Sequence, residues 1–87
     1  MDRINTRGRI TILLGRYQLQ TGRRLSPRRL AQVAGVPKDL VYRLDAGAAR
    51  YVDLHALARL CKVLDCGVED ILSLDGAAEG DTLGKAR

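Results

Sequence analysis

The sequence predicts an all-α domain of five short helices. Apolar residues recur at helical spacing in successive segments, and capping residues or glycines separate those segments. The chain of 87 residues also contains no Phe and no Trp. A core built from Leu, Ile, Val and Ala favours a small helical bundle over a β-sandwich. This length predicts one domain, whose core is marginal without close helix packing, a partner or a ligand.

The first helix is predicted at residues 9–20, after an N-terminal arm of residues 1–8. Its apolar residues recur at i, i+3, i+4 and i+7, which makes one buried face: Ile10, Leu13, Leu14 and Tyr17. Asn5 or Thr6 is expected to cap it. Gly15 weakens it by roughly 1 kcal/mol relative to alanine and can permit the close approach of a neighbour.

The second and third helices are predicted at residues 27–34 and 37–44. Ser26 is a good N-cap, and Pro27 and Pro37 suit first-turn positions. The apolar residues of both helices fall at helical spacing: Leu30, Ala31, Ala34, Leu40, Val41 and Leu44.

Gly35 separates these two helices, and Gly47 ends the second of them. Glycine adopts the left-handed conformation of a sharp turn at little cost. Two short helices, a glycine turn and an outward polar face on the second helix are typical of a helix-turn-helix.

The remainder of the chain predicts two more helices and a tail. Asp53 is expected to cap a fourth helix at residues 54–65, and Glu69 and Asp70 to begin a short fifth at residues 69–74. The buried face of the fourth helix is predicted to contain Leu54, Leu57, Ala58, Cys61 and Leu64, with Leu60 flanking it. Residues 75–87 are rich in Gly, Ala and charge, and are predicted to be a disordered tail.

Charge is divided unevenly along the chain. Residues 1–50 contain eleven Arg or Lys and three Asp or Glu, a net charge of +8, whereas residues 51–87 contain four and seven, a net charge of −3, which together give the +5 of the whole chain. An Arg-rich surface alone is most simply a solvated one. Its coincidence with a helix-turn-helix indicates binding to the phosphate backbone of DNA.

Arginines cluster around the predicted start of the second helix. Arg24 precedes that helix, and Arg28 and Arg29 lie in its first turn, where the helix dipole disfavours them. A bound phosphate would offset this cost, although screening by solvent would also reduce it. The basic arm of residues 1–8 has two interpretations as well, a segment that reaches along DNA or a frayed terminus.

The chain resembles the Cro and lambda-repressor-like helix-turn-helix regulators, also called the XRE family, over residues 9–74. The motifs that carry the resemblance are Leu25-Ser26, Leu30-Ala31, Gly35-Val36, the apolar pair Val41 and Leu44, and the ending Asp45-Ala46-Gly47. The resemblance implies a lambda-repressor-like five-helix fold. It also implies double-stranded DNA as the ligand and a homodimer that reads an inverted repeat, with half-sites about one helical turn apart.

The resemblance places base-reading positions on the third helix, at Lys38, Asp39 and Arg43, with Tyr42 beside them. Lys38 and Arg43 can donate to guanine, and Asp39 can accept from cytosine or simply stabilise the start of its helix. Positions that contact phosphates are implied at Ser26, Pro27, Arg28, Ala48, Ala49 and Arg50. Several residues depart from the family pattern and remove common polar contacts: Pro27, Pro37, Ala46, Ala48 and Ala49.

The function predicted from these features is a sequence-specific DNA-binding regulator, expected to repress transcription by occluding a promoter. The alternative is an antitoxin or adaptor that binds another protein, for which the tail of residues 75–87 is the candidate contact. The fifth helix is a second candidate contact.

Other classes of function lack support in the sequence. The chain has one histidine, His55, and shows no spacing typical of a metal site, a nucleophile–base pair or a phosphate-binding glycine loop. No enzyme activity, metal or cofactor is therefore predicted. Cys61 and Cys66 are interpreted as buried thiols rather than a disulfide. No apolar run of membrane-spanning length and no signal peptide is visible, so the expected location is cytoplasmic.

Overall fold

Five helices form the domain, as the sequence predicts, and two short strands are added to them. A computed structural model describes residues 3–75, with backbone only for Arg3 and Asp75. The elements are β1 (Arg3–Asn5), α1 (Arg9–Thr21), α2 (Pro27–Ala34), α3 (Lys38–Ala46), α4 (Leu54–Leu64), α5 (Val68–Ile71) and β2 (Ser73–Asp75). The predicted tail lies outside the described residues from residue 76 onward.

The helix boundaries of α2 agree with the prediction, and those of α3 are shifted. Pro37 is the N-cap of α3 rather than its first residue, because its ψ of 136° is extended. The helix then continues to Ala46, two residues beyond the predicted end. It stops where Gly47 adopts a left-handed φ of 74°, a conformation that is strained for any residue with a Cβ atom.

The predicted fifth helix is too long. Helix α5 is a single turn that ends at Ile71, and the chain then becomes extended. Ser73 and Leu74, predicted as helical, belong to β2, which pairs antiparallel with β1 in the register Arg3↔Asp75, Ile4↔Leu74 and Asn5↔Ser73. Strands of three residues are too short to show a period of two in the sequence, so neither strand was predicted.

The core lies between α1, α2, α3 and α4, and α5 closes one end through Ile71. Its largest fully buried side chains are Ile10, Leu13, Leu30, Val41, Leu44, Leu57, Leu60, Leu64 and Ile71. The apolar faces predicted for the first three helices are confirmed, except that Tyr17 is only half-buried against the core. Gly15 is exposed, and apart from its chain neighbours and its own helix backbone, no described atom lies within 4 Å of a Cβ atom placed there, so no other element approaches that glycine closely.

The predicted buried face of α4 is partly wrong. Leu54 is 74% exposed and Ala58 is exposed, whereas Ala56 and Leu60 are buried. The buried residues of α4 recur at i, i+1, i+4, i+5 and i+8, starting from Ala56. Leu54 and Ala58 lie about a quarter and a third of a turn from the centre of that face, because successive residues of an α-helix are about 100° apart.

The N-terminal segment is fastened to the end of α3. The hydroxyl of Thr6 donates to the carbonyl oxygen of Leu44 at 2.5 Å, and the Gly8 N–H donates to the carbonyl oxygen of Asp45 at 2.9 Å. The Asp45 carboxylate accepts from the backbone N–H of Thr11 at 3.0 Å and from its hydroxyl at 2.7 Å. Asp45 therefore caps α1. The prediction that Asn5 or Thr6 caps this helix is wrong.

Within residues 3–75, no helix has the length and apolar character needed to cross a lipid bilayer.

Candidate nucleic-acid interface

Helices α2 and α3 form a helix-turn-helix around a glycine turn. Gly35 has a φ of 72°, and its N–H donates to the carbonyl oxygens of Ala31 and Gln32. The next residue, Val36, is buried and donates its N–H to Ala31 at 3.0 Å. These bonds close the end of α2, and the buried valine sets the direction in which α3 leaves the turn.

The outward face of α3 carries all four predicted base-reading residues. Leu40, Val41 and Leu44 are buried against the core. The opposite side of the helix faces solvent, and the four residues on it are all exposed: Lys38, Asp39, Tyr42 and Arg43. An exposed helix face with two cations, one carboxylate and one phenol provides the donors and acceptors that distinguish base edges in the major groove.

Two of these residues are paired with each other. The Arg43 Nη1 atom lies 3.7 Å from the Asp39 Oδ2 atom, one helical turn away, and both side chains are more than half exposed. An ion pair exposed to this degree contributes little to stability, so Arg43 can exchange it for a base contact at little cost in free energy. Asp39 also lies in the first turn of α3, where a carboxylate suits the helix dipole.

The first group of predicted phosphate-contacting residues lies at the start of α2. The Ser26 hydroxyl accepts from the N–H of Arg29 at 3.0 Å, which confirms Ser26 as the N-cap. Arg24, Arg28 and Arg29 are exposed around it, and Pro27 is half-buried. Three cations beside the positive end of a helix dipole attract an anion. Arg29 is also hydrogen-bonded through Nη1 to the Gln32 side chain at 3.0 Å.

The second group of predicted phosphate-contacting residues lies in the loop after α3 and offers fewer groups that can reach a phosphate. Ala48 and Arg50 are exposed, but Ala49 is half-buried against the core. The N–H of Ala48 already donates to the Arg43 carbonyl oxygen at 2.8 Å. Arg50 is therefore the residue of this loop that has a free charged side chain to offer a phosphate.

Three residues that the sequence did not indicate as part of the interface stabilise the ends of its helices. Asp45 and Thr6 hold the last turn of α3, as described above. Arg59 of α4 donates from Nη1 to the carbonyl oxygen of Gly35 at 3.5 Å, which places a cation at the negative end of α2. The sequence signal for Asp45 was its place in the Asp-Ala-Gly ending, whereas nothing in the sequence indicated the partner of Arg59.

The two cysteines lie apart from this surface and are free thiols. Cys61 is buried and Cys66 is half-buried. Burial raises the pKa of Cys61, and burial together with the neighbouring Cys61 raises the pKa of Cys66 to about 12. Both thiols are neutral at physiological pH and act as small apolar groups. Among the described residues, no three His, Cys, Asp or Glu side chains are grouped as metal ligands would be.

Comparison with protein-family models matches residues 19–76 to the Cro/C1-type HTH DNA-binding domain. The matched segment is well over half of the chain and contains the helix-turn-helix and all the helices that follow it. Searches of curated proteins and of solved structures find no match to this chain. From the geometry of α2 and α3 and from this match, the chain belongs to the Cro/C1-type helix-turn-helix DNA-binding domain family.

Proposed function

We propose that the protein is a sequence-specific transcriptional regulator that binds double-stranded DNA, and that it represses transcription from an inverted-repeat operator as a homodimer. The observation that carries this proposal is the outward face of α3, where the exposed polar residues lie opposite three buried ones. In this proposal the bound protein represses transcription by occupying a promoter. Such a regulator acts where its DNA is, so the predicted cytoplasmic location is part of the same proposal.

In this proposal α3 enters the major groove and reads bases. Arg43 donates to the O6 and N7 atoms of a guanine once its bond to Asp39 is released. Lys38, at the start of the helix, makes a second guanine contact, and Asp39 accepts from a cytosine N4 amine. Tyr42 lies at the side of this face and contacts a phosphate or a thymine methyl group.

The phosphate backbone is held by the basic segments on either side of α3 in the sequence. The arginines at the start of α2 act with the N-terminal dipole of that helix, and the loop after α3 contributes Arg50. The proposed contacts are Arg24, Ser26, Pro27, Arg28, Arg29, Ala48, Ala49 and Arg50. The alanines and the proline offer backbone or van der Waals contact alone, so the arginines supply the electrostatic attraction.

Selection of bound DNA from a random pool tests this proposal. We expect an enriched inverted repeat whose half-sites are about 10 base pairs apart, centre to centre. The doubly substituted variant Lys38→Ala/Arg43→Ala is the matched control, because it keeps the basic segments and removes the base-reading cations. It should bind DNA without enriching the motif. If the unaltered protein enriches no motif, it is not a sequence-specific regulator.

A further inference from the structure

The segment before α1 is fixed in place against the last turn of α3. Strand β1 pairs with β2, and the Asn5 side chain then accepts from the backbone N–H of Arg7 at 3.0 Å. On the other side of Arg7, the Gly8 N–H donates to the carbonyl oxygen of Asp45 at 2.9 Å. Hydrogen bonds before and after Arg7 therefore hold its backbone in one position.

The Arg7 side chain starts directly beside Gly47. A Cβ atom added at Gly47 would lie 3.1 Å from the Arg7 Cβ atom and 3.6 Å from the Arg7 Cγ atom. Any side chain at position 47 would therefore press against the base of the Arg7 side chain. Because glycine has none, the two backbones approach closely, and Arg7 lies where α3 ends and the following loop begins.

The guanidinium group of Arg7 has no partner within residues 3–75. It is exposed, and it takes part in none of the ion pairs or side-chain hydrogen bonds formed there. The arginines that follow it differ. Arg9 donates to the carbonyl oxygen of Asp70 at 2.7 Å, and Arg16 lies 3.8 Å from the Asp70 carboxylate. Those two arginines stabilise the fold, whereas Arg7 keeps its charge available for an anion from outside.

The loop beside Arg7 contributes little charge of its own. Gly47 and Ala48 are exposed and uncharged, and Arg50 is the cation that follows them. Thr6 and Gly47 line the same groove as Arg50. Since Arg7 follows Thr6 and lies against Gly47, the two arginines flank one exposed stretch of small residues from two different segments of the chain. Small residues let a ligand come close to the backbone.

We propose that Arg7 is a further phosphate-binding residue, which holds the DNA backbone at the C-terminal end of α3 together with Arg50. This inference rests on the proposed DNA-binding function and adds a residue from the segment before α1 to its contacts. Two cations on one surface attract an anion, and in the described part of the chain no carboxylate is paired with either of them. A guanidinium group also suits a phosphate because it donates two parallel hydrogen bonds.

The position of Arg7 favours a phosphate over a base. A recognition helix contacts base edges mainly through its N-terminal residues, whereas Arg7 lies beyond the last residue of α3. Contacts to phosphates fix the register and orientation of a protein on the duplex and carry no sequence information. Arg7 therefore increases affinity for every DNA sequence and helps to set the orientation of α3 in the groove.

Titrations of a random-sequence duplex at several salt concentrations test this inference. Arg7→Gln is the test variant, because glutamine keeps the Cβ and Cγ atoms that pack on Gly47 and removes the charge. We expect the slope of log affinity against log salt to fall by about one unit and the affinity at physiological salt to fall by about tenfold. Arg7→Lys keeps the charge and should keep the slope.

Lys62→Gln is the matched control, because it removes an exposed cation from the last turn of another helix, α4. It should leave the slope unchanged. A purely structural role for Arg7, in which its charge only stabilises the C-terminal end of α3 through the helix dipole, makes a different prediction. In that case Arg7→Gln would lower resistance to urea and leave the slope unchanged, and this result would overturn the inference.

Duplexes of the selected site that carry one uncharged methylphosphonate at each position in turn locate the contact. Neutralising the phosphate that Arg7 holds should weaken the unaltered protein and have little effect on Arg7→Gln. The corresponding position for Arg50→Gln should be the same phosphate or its neighbour. Positions that lie far apart would contradict joint binding by the two arginines.

The random-sequence duplex also separates this inference from the proposed function, because it requires no operator. An enriched inverted repeat together with an unchanged slope in Arg7→Gln would overturn the Arg7 contact alone. A lowered slope in a protein that enriches no motif would support the contact while sequence-specific regulation failed.

Discussion

Arg43 lies on the outward face of α3, where its guanidinium group already forms an ion pair with Asp39. The Asp39 carboxylate lies 3.7 Å away, and both side chains remain largely in solvent. Because an exposed pair contributes only about 0–1 kcal/mol, Arg43 can exchange this partner for a guanine at small cost. The Asp39 carboxylate would also repel a phosphate placed beside Arg43. Arg43 therefore suits contact with a base edge better than contact with a phosphate.

Replacing Arg43 with alanine should reduce affinity for the preferred DNA site by about 1–3 kcal/mol and relax the preference at one base pair. Fluorescence anisotropy on a set of single-base variants of the site measures both effects. Lys62→Ala, which removes an exposed cation from α4, is the control and should change neither. Unchanged sequence preference in Arg43→Ala would remove Arg43 from the base-reading residues.

Cys66 makes the stability of the domain depend on pH in the alkaline range. Burial is the main reason that its pKa in the folded protein rises from an ordinary value of 9.0 to about 12. The folded protein therefore holds the thiol proton more tightly than the unfolded chain does. This contribution to stability is complete below pH 9 and is lost as the pH rises from about 9 to about 12.

Urea denaturation at a series of pH values checks this expectation. The free energy of unfolding of the unaltered protein should fall more steeply between about pH 9 and pH 12 than that of Cys66→Ala. The comparison between the two proteins cancels the titration of lysines and tyrosines that both share. Parallel curves would show that the thiol contributes nothing to the pH dependence.

At the scale of elements, α3 is held at both ends. The glycine turn and Val36 determine where it begins, and the N-terminal segment determines where its last turn lies. Asp45 is central to the second of these, because its carboxylate caps α1 through Thr11 while its carbonyl oxygen accepts from Gly8. The start of α1 and the end of α3 are thus a single hydrogen-bonded unit.

Asp45→Ala should lower the free energy of unfolding by about 0.5–2 kcal/mol, the usual effect of losing a helix cap. Chemical denaturation followed by circular dichroism measures it. Asp39→Ala removes an exposed carboxylate from the same helix and should cost a few tenths of a kcal/mol. Equal effects from the two substitutions would mean that the Asp45 contacts stabilise no more than surface charge does.

At the scale of the whole molecule, positive charge is concentrated in the first fifty residues. Six of the eleven basic residues in the first fifty lie just before or in the first turn of α2, or on α3, where DNA is proposed to bind. Arg9 and Arg16 contact Asp70 of α5 instead. Contacts to phosphates release counterions, so affinity for DNA should fall steeply as salt is added.

Replacing Arg28 with alanine should weaken binding to every DNA sequence about equally and lower the slope of log affinity against log salt by about one unit. Titrations of one specific and one nonspecific duplex at several salt concentrations measure the slope. Lys62→Ala again serves as the control of equal charge change. A slope that stays the same in Arg28→Ala would exclude Arg28 from the phosphate contacts.

The helices could be predicted from the sequence because their apolar residues repeat at helical spacing and their ends carry local signals. Ser26 and Gly35 are such signals, and both have the predicted roles. The strands could not be predicted, because a strand of three residues gains its identity from a partner more than sixty residues away. The prediction for the buried face of α4 was partly wrong for a related reason. Leu54 is apolar, but it lies outside the face of α4 that the neighbouring helices cover.

By itself, the sequence determined the five helices, the glycine turn between α2 and α3 and the polar residues on the outward side of α3. These features depend on residues a few positions apart, so the chain specifies them locally. The tertiary structure alone decided that Asp45 caps α1, that Arg59 contacts the end of α2, and that β1 pairs with β2. Each of these joins distant segments, and contacts of that kind are set by how the helices pack together.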